Sequence, residues 1–294
     1  MKLSTVILAS DRWSDGRLKW SRAQRLGFHA AYTYDHLSWR SFRETTWMSM
    51  VPVLAAAAGE TTTLRLGPLV TTPNFRHPLL LAKDLIAIDD ISEGRLVVGI
   101  GAGGGGFDAT VLGNAQWSVS ERHDRFKEFT TTVVQLLSEP TSTIEGRYYP
   151  ILESRQYPGP VQRPHPPIYV SALGVKGITF AAQVGDGWVS VGGLSHQHLA
   201  TEDAVRLQSR RLDDALESEG RERAPFARLY LDGFGDESPL ASYEHFLDFA
   251  GRFRDMKFTE VVIHMPIAES LFDYDEAVFE RIATEGHEVL KSWS

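Results

Sequence analysis

Apolar and polar positions along this chain switch repeatedly between two rhythms. Short, nearly continuous apolar runs, each closed by Gly, Pro or a polar cluster, read as buried strands. They are Leu3–Ala9, Ala30–Tyr34, Leu64–Thr71, Leu96–Gly101, Ile168–Ala172, Gly187–Val191, Phe226–Asp232 and Val261–His264. Between them, apolar residues recur three and four positions apart, the helical period. Such stretches predict helices over Asp15–Leu26, Thr46–Ala58, Pro78–Ile91, Ser120–Leu137, Gly174–Gln183, His196–Glu219 and Tyr274–Leu290. Another runs along the stripe Tyr243, Phe246, Leu247, Ala250 and Phe253. Gly27 and Gly59 sit where a helix would stop. Ser120 stands as the cap of its helix, with Glu121 and Asp124 in the first turn where the helix dipole favours acids.

Eight strands alternating strictly with eight helices predict a (β/α)8 TIM barrel, because strand–helix–strand units make parallel pairs with right-handed crossovers. The rhythm breaks once, over about 138–167. Ile144–Tyr149 reads as a small hairpin around Gly146, and six prolines then fall between Pro150 and Pro167. This is an insertion between strands 4 and 5, an excursion over the barrel mouth within a single domain spanning 1–294. The rival architecture, a doubly wound open sheet, normally has fewer strands.

Composition narrows the function. Of the 294 residues 43% are hydrophobic and 23% charged, so the chain can bury a large core. A net charge of −8 without a basic block argues against nucleic acid and against a polybasic membrane contact. The chain has no cysteine, which excludes disulfides, thiolate catalysis and cysteine-ligated metals. Its first residues read as a strand rather than a signal peptide, and no run is long and apolar enough for a membrane span. The cytoplasm is the default compartment.

Candidate chemistry gathers where strands end, the ligand-binding side of parallel α/β folds. Asp35-His36 ends strand 2, with Trp39 close behind. A histidine there points into the mouth, where a proton donor belongs, and Asp35 would orient its ring or hold its charge; taken alone, the pair could equally be a loop cap. Strand 3 ends in Leu69-Val70-Thr71-Thr72 before Pro73, offering two hydroxyls and an apolar surface. Strand 4 runs into Gly101, Ala102, Gly103 and Gly104. The segment Gly99–Gly104 matches G-x-G-x-x-G, but it follows the wrong strand for a dinucleotide fingerprint and lacks the helix that should come next. It reads either as a flexible surface loop or as a loop whose backbone amides approach a flat ring or its ribityl chain. Ala172, Gly174, Val175 and Lys176 lead into a helix N-terminus, and Gly192-Gly193 follow strand 6; either suits a phosphate. Each could equally be a tight turn. His196-x-His198 has metal-ligand spacing but no nearby carboxylate cluster, so surface histidines are expected and no metal. Arg122, Arg125 and Glu128 have the spacing of helix-surface salt bridges.

Taken in order, these segments resemble the bacterial luciferase-like superfamily of monooxygenases and reductases. The resemblance rests on Tyr34-Asp35-His36-Leu37-Ser38-Trp39, on Leu66-Gly67, on Thr71 through Pro78, on Ile91 through Arg95 with Gly99–Gly103, and on Gly185-Asp186-Gly187-Trp188. It implies a (β/α)8 barrel holding FMN or the deazaflavin coenzyme F420, and the chain most resembles the deazaflavin-dependent members. His36 would then sit near the reacting ring carbon and Trp39 beside ring or substrate. Leu69–Val70 would form a strand-3 bulge with a non-prolyl cis peptide, Thr72 would touch the ring edge, and Gly101–Gly104 would line the ribityl side. Ala172–Lys176 and Gly192–Gly193 would hold the phosphate. Two positions depart from the sugar-phosphate dehydrogenases of the family: Gly104 replaces a glutamate acid, and Leu194 replaces a basic phosphate ligand. A larger or less charged substrate is therefore expected.

The expected activity is hydride transfer between coenzyme F420 and a small-molecule or peptide substrate, reducing an activated C=C or C=N bond. A second copy of the chain is the candidate assembly partner. The alternatives are an FMN-dependent monooxygenase using reduced flavin and O2, a metal-dependent hydrolase relying on His36, His196 and His198, and a non-catalytic cofactor-binding protein.

Overall fold

A computed structural model describes residues 1–193, 201–235 and 237–293. Its strands are β1 (Lys2–Val6), β2 (Ala30–Thr33), β3 (Arg65–Pro68), β4 (Val98–Gly101), β5 (Thr141–Ile144), β6 (Ile151–Arg155), β7 (Ile168–Ser171), β8 (Gly187–Ser190), β9 (Ala227–Leu231) and β10 (Glu260–His264). The helices are α1 (Trp13–Arg25), α2 (Met50–Glu60), α3 (Pro78–Ile91), the short α4 (Phe107–Thr110), α5 (Val119–Ser138), α6 (Val175–Val184), α7 (Thr201–Ser218), α8 (Tyr243–Asp255), α9 (Glu276–Arg281) and α10 (His287–Lys291).

Eight strands form one sheet in the order β3-β2-β1-β10-β9-β8-β7-β4. β1 pairs in parallel with β2 and β10, and β7 through β10 continue in parallel. The two ends of that order, β3 and β4, are joined by parallel bridges at Leu66–Leu96 and Thr71–Ile100. This is the (β/α)8 barrel that the alternation predicts. β5 and β6 form a separate antiparallel pair inside the expected excursion.

The chain divides into two compact units. One comprises Met1–Ile7, Lys19–Tyr32 and Tyr169–Ser294. Its aromatic core packs Tyr230 at 4.2 Å from Phe253 between ring centroids, and Phe253 at 4.3 Å from Phe249. The other comprises Leu8–Leu18 and Thr33–Ile168. There Leu81, Leu85 and Ile88 of α3 are fully buried, as are Phe126, Phe129, Val133 and Leu136 of α5. Burying each such side chain contributes about 1.5–3 kcal/mol.

Several boundaries differ from expectation for identifiable reasons. The helix expected from Thr46 begins at Met50. The residues before it are held out of the helix, because Trp47 Nε1 donates to His36 O at 2.7 Å and Met48 N to Ala9 O at 2.8 Å. Ser118, not Ser120, caps α5, its Oγ accepting from Glu121 N at 3.1 Å. The last helix is interrupted by a π-helical turn over Ile282–Gly286.

Candidate active site

In the unit that contains them, β3 and β4 approach so closely that side chains are excluded. A Cβ on Gly99 would lie 2.6 Å from Pro68 O and 2.9 Å from Leu69 Cδ1. The peptide Leu69–Val70 is cis, at the position the family resemblance implies. The ladder continues past it: Thr71 N donates to Gly99 O and Gly101 N to Thr71 O, both at 2.9 Å. Beyond β4 the glycine loop opens. Gly103 and Gly106 have φ of +70° and +105°, conformations that favour glycine. A Cβ on Gly103 would meet Asn74 Oδ1 at 2.5 Å, whereas Gly104 and Gly106 face open space. Asn74 Nδ2 donates to Gly104 O at 3.2 Å and ties the loop to the segment after β3. Asn74 Oδ1 is buried without a hydrogen-bond partner.

The segment after β2 carries a dense aromatic group. Trp39, Phe42 and Trp47 form a triangle of rings with centroid separations of 6.0, 6.3 and 6.1 Å, and Trp39 meets Tyr34 edge-on at 5.2 Å. His36 lies 6.3 Å from Trp39 and 6.5 Å from Trp47. Trp39 is buried. His36 Nδ1 pairs with the Asp108 carboxylate on α4, whose other oxygen accepts from Leu37 N at 2.9 Å. The His36 side chain is 30% exposed and that of Asp108 10%, so the carboxylate is covered while the ring keeps an open edge.

Asp35 does not orient His36. Its carboxylate takes a two-pronged contact from Arg76, Nε at 3.0 Å and Nη2 at 2.7 Å, and a third bond from Thr71 Oγ1 at 2.7 Å. Asp35 is buried, and these bonds tie it to the segment after β3. Burial works against the Arg76 charge, but its hydrogen bonds to Asp35 more than offset this and raise its pKa. Thr71 Oγ1 spends its one proton on Asp35, so toward a ligand it could act only as an acceptor. Thr72 is nearly buried, its Oγ1 3.4 Å from Asn74 N.

The expected phosphate loops lie in the other unit. Gly174 is the N-cap of α6 without a side-chain cap bond, and nothing lies within 4 Å of where its Cβ would be. The backbone amides at Val175 and Lys176 open α6. Ala172 O accepts from Trp188 Nε1 at 2.7 Å, which fixes the start of that loop. Gly192 has φ of +98°; its N donates to Ser190 Oγ and its O accepts from Gln208 Nε2 at 3.0 Å. Gly193 follows it, whereas Leu194, His196 and His198 lie outside the described residues. His264, the other strand-end histidine, is fully buried and stacked 3.7 Å from Phe272, and burial pushes its pKa down to about 3. Asp232, at the end of β9, is also buried, and loss of solvation raises its pKa to about 7.

Other motif residues are structural. Arg95 donates to Ala58 O, Thr61 O and Leu64 O at 2.7–2.9 Å, closing the end of α2. Arg125 pairs with Glu121 at 2.9 Å rather than with Glu128. Glu128 instead accepts from Tyr148 N and Tyr149 N, both at 2.7 Å, and holds the turn before β6. Sequence reasoning missed Asp108, Arg76 and Asn74. Asn74 and Arg76 lie in the segment Thr71 through Pro78 that carries the family resemblance, whereas Asp108 stands 72 residues from its partner, where no local pattern could connect them.

Residues 11–231 match the family model described as luciferase-like monooxygenase. The chain belongs to this family. Among curated relatives, an F420-dependent glucose-6-phosphate dehydrogenase of Microbacterium testaceum is 30% identical over 209 residues, covering 68% of this chain and 58% of that protein. An F420-dependent hydroxymycolic acid dehydrogenase of Mycobacterium tuberculosis is 29% identical over 190 residues, covering 63% of this chain and 51% of that protein. The chain thus spans between half and two thirds of these relatives' length. Among solved structures, a monooxygenase of Streptomyces bottropensis shares the fold over the full length of both chains, with a TM-score of 0.78 and 23% identity.

Proposed function

We propose that this protein is an oxidoreductase that moves hydride between coenzyme F420 and an organic substrate of low charge, reducing an activated C=C or C=N bond. One observation carries the reading: His36 keeps an open edge next to the aromatic wall while its Nδ1 is held by the covered Asp108. A histidine so placed can hold or release a proton at Nε2, which a hydride reduction requires.

The residues fit such a cofactor. Asn74 Oδ1 is a buried acceptor without a partner, beside a glycine loop with open space over Gly104 and Gly106. An uncharged donor, such as a ribityl hydroxyl or a ring N–H, would satisfy it. Leu69, Val70 and Thr72 would support the ring, and Gly101, Ala102, Gly103 and Gly104 would border the side chain. The free amides at Gly174–Lys176, with Gly192 and Gly193, would take the phosphate. When bound, the deazaflavin supplies the hydride. Trp39, Trp47 and Phe42 would exclude water from the His36 side. Two curated relatives named as F420-dependent dehydrogenases support this choice of cofactor.

A second reading, an FMN-dependent monooxygenase, is favoured by the description of the family itself. Titration calorimetry with oxidised F420 and with FMN separates the two. Tighter binding of the deazaflavin is expected. FMN binding at micromolar or tighter affinity, with no heat from the deazaflavin, overturns the proposal.

A further inference from the structure

We propose that Asp108 is the positioning residue for His36: it fixes the ring as the Nδ1–H tautomer and presents Nε2 as the nitrogen that meets the substrate. This deepens the reading above and rests on it for the identity of the reaction alone.

The argument begins with what a carboxylate can do. An ionised carboxylate only accepts hydrogen bonds, so the nitrogen facing it must carry the proton. Nδ1 faces Asp108, which leaves Nε2 with the lone pair in the neutral ring. That nitrogen can therefore hold a proton and give it up.

Asp108 is placed for this by several separate contacts. Its second oxygen accepts from Leu37 N at 2.9 Å, so the carboxylate grips the backbone next to the ring as well as the ring itself. Trp47 Nε1 holds His36 O at 2.7 Å from the other side. Phe107, its neighbour, lies under the Arg43 guanidinium at 3.7 Å from the ring centroid. Asp35, the adjacent acid, is committed to Arg76 and Thr71. The positioning carboxylate thus comes from the end of the glycine loop, not from the motif that carries the histidine.

The test is Asp108→Asn, a near-isosteric change. The amide oxygen can still accept from Leu37 N, but the amide NH2 then faces Nδ1 and needs an acceptor there. The ring proton should move to Nε2. Long-range proton–nitrogen NMR of the 15N-labelled apoprotein near pH 8.5, with His36→Gln to assign the signal, reads the tautomer directly. The wild type should show the Nδ1–H pattern and the Asn variant the Nε2–H pattern. With deazaflavin bound, turnover should fall by roughly 10²–10⁴ while cofactor affinity stays within about threefold, the behaviour of a wrongly presented histidine. A wild-type ring protonated at Nε2, or an Asn variant with the wild-type pattern, overturns the assignment. Unchanged turnover in a variant whose tautomer has flipped overturns it too. If the wild type binds no deazaflavin, the functional reading fails, and the tautomer comparison in apoprotein still decides the role of Asp108.

Discussion

Asp232 makes the stability of this protein depend on pH in a direction opposite to that of most carboxylates. Its side chain is buried at the end of β9, and the dominant effect on it is loss of solvation. A backbone hydrogen bond from Gly233 opposes that effect, and Glu237 adds to it. Together they lift the pKa from 3.8 to about 7. A carboxyl raised in this way binds its proton more tightly folded than unfolded. Between about pH 4 and pH 7 the unfolded chain releases the proton while the folded protein keeps it. Stability from this group is therefore greatest below pH 4, falls through that window, and is lowest above pH 7. At about 1.36 kcal/mol for each unit, the raised pKa corresponds to a loss of about 4 kcal/mol. Asp232→Asn removes the titration. The fixed effect of exchanging hydroxyl for amide cancels when each protein is compared with itself at two pH values. Urea unfolding followed by tryptophan fluorescence at pH 4.5 and 8.5 should show the wild type losing roughly 2–4 kcal/mol more than the variant. Parallel profiles for the two proteins would refute the reasoning.

Three further outcomes are expected. His36→Ala should lower single-turnover oxidation of bound reduced cofactor by roughly 10²–10⁴; equal rates across pH 5–9 would remove His36 from the chemistry. Arg76→Met leaves the buried Asp35 carboxylate with Thr71 and without its cation, and should cost about 3–5 kcal/mol in urea unfolding. Gly99→Ala forces a methyl against Pro68 O and Leu69 Cδ1, and should cost about 1–3 kcal/mol and weaken deazaflavin binding in calorimetry.

The sequence by itself determined the barrel. Strand and helix periods differ, and a strict alternation of the two leaves few arrangements that bury both apolar faces. Pro78–Ile91 came out with the predicted bounds, and the excursion holds its antiparallel pair. The resemblance placed the cis peptide at Leu69–Val70. The partners of the site residues were not legible. Asp35 and His36 are consecutive in the loop that follows β2. Proximity in sequence suggested that they work together, yet the backbone sends Asp35 to Arg76 and Thr71 and leaves His36 to Asp108. That pairing joins positions 72 residues apart. A local period carries information over a few residues, whereas the partner of a side chain is set by which loops the folded barrel brings together. Only the tertiary structure could decide it.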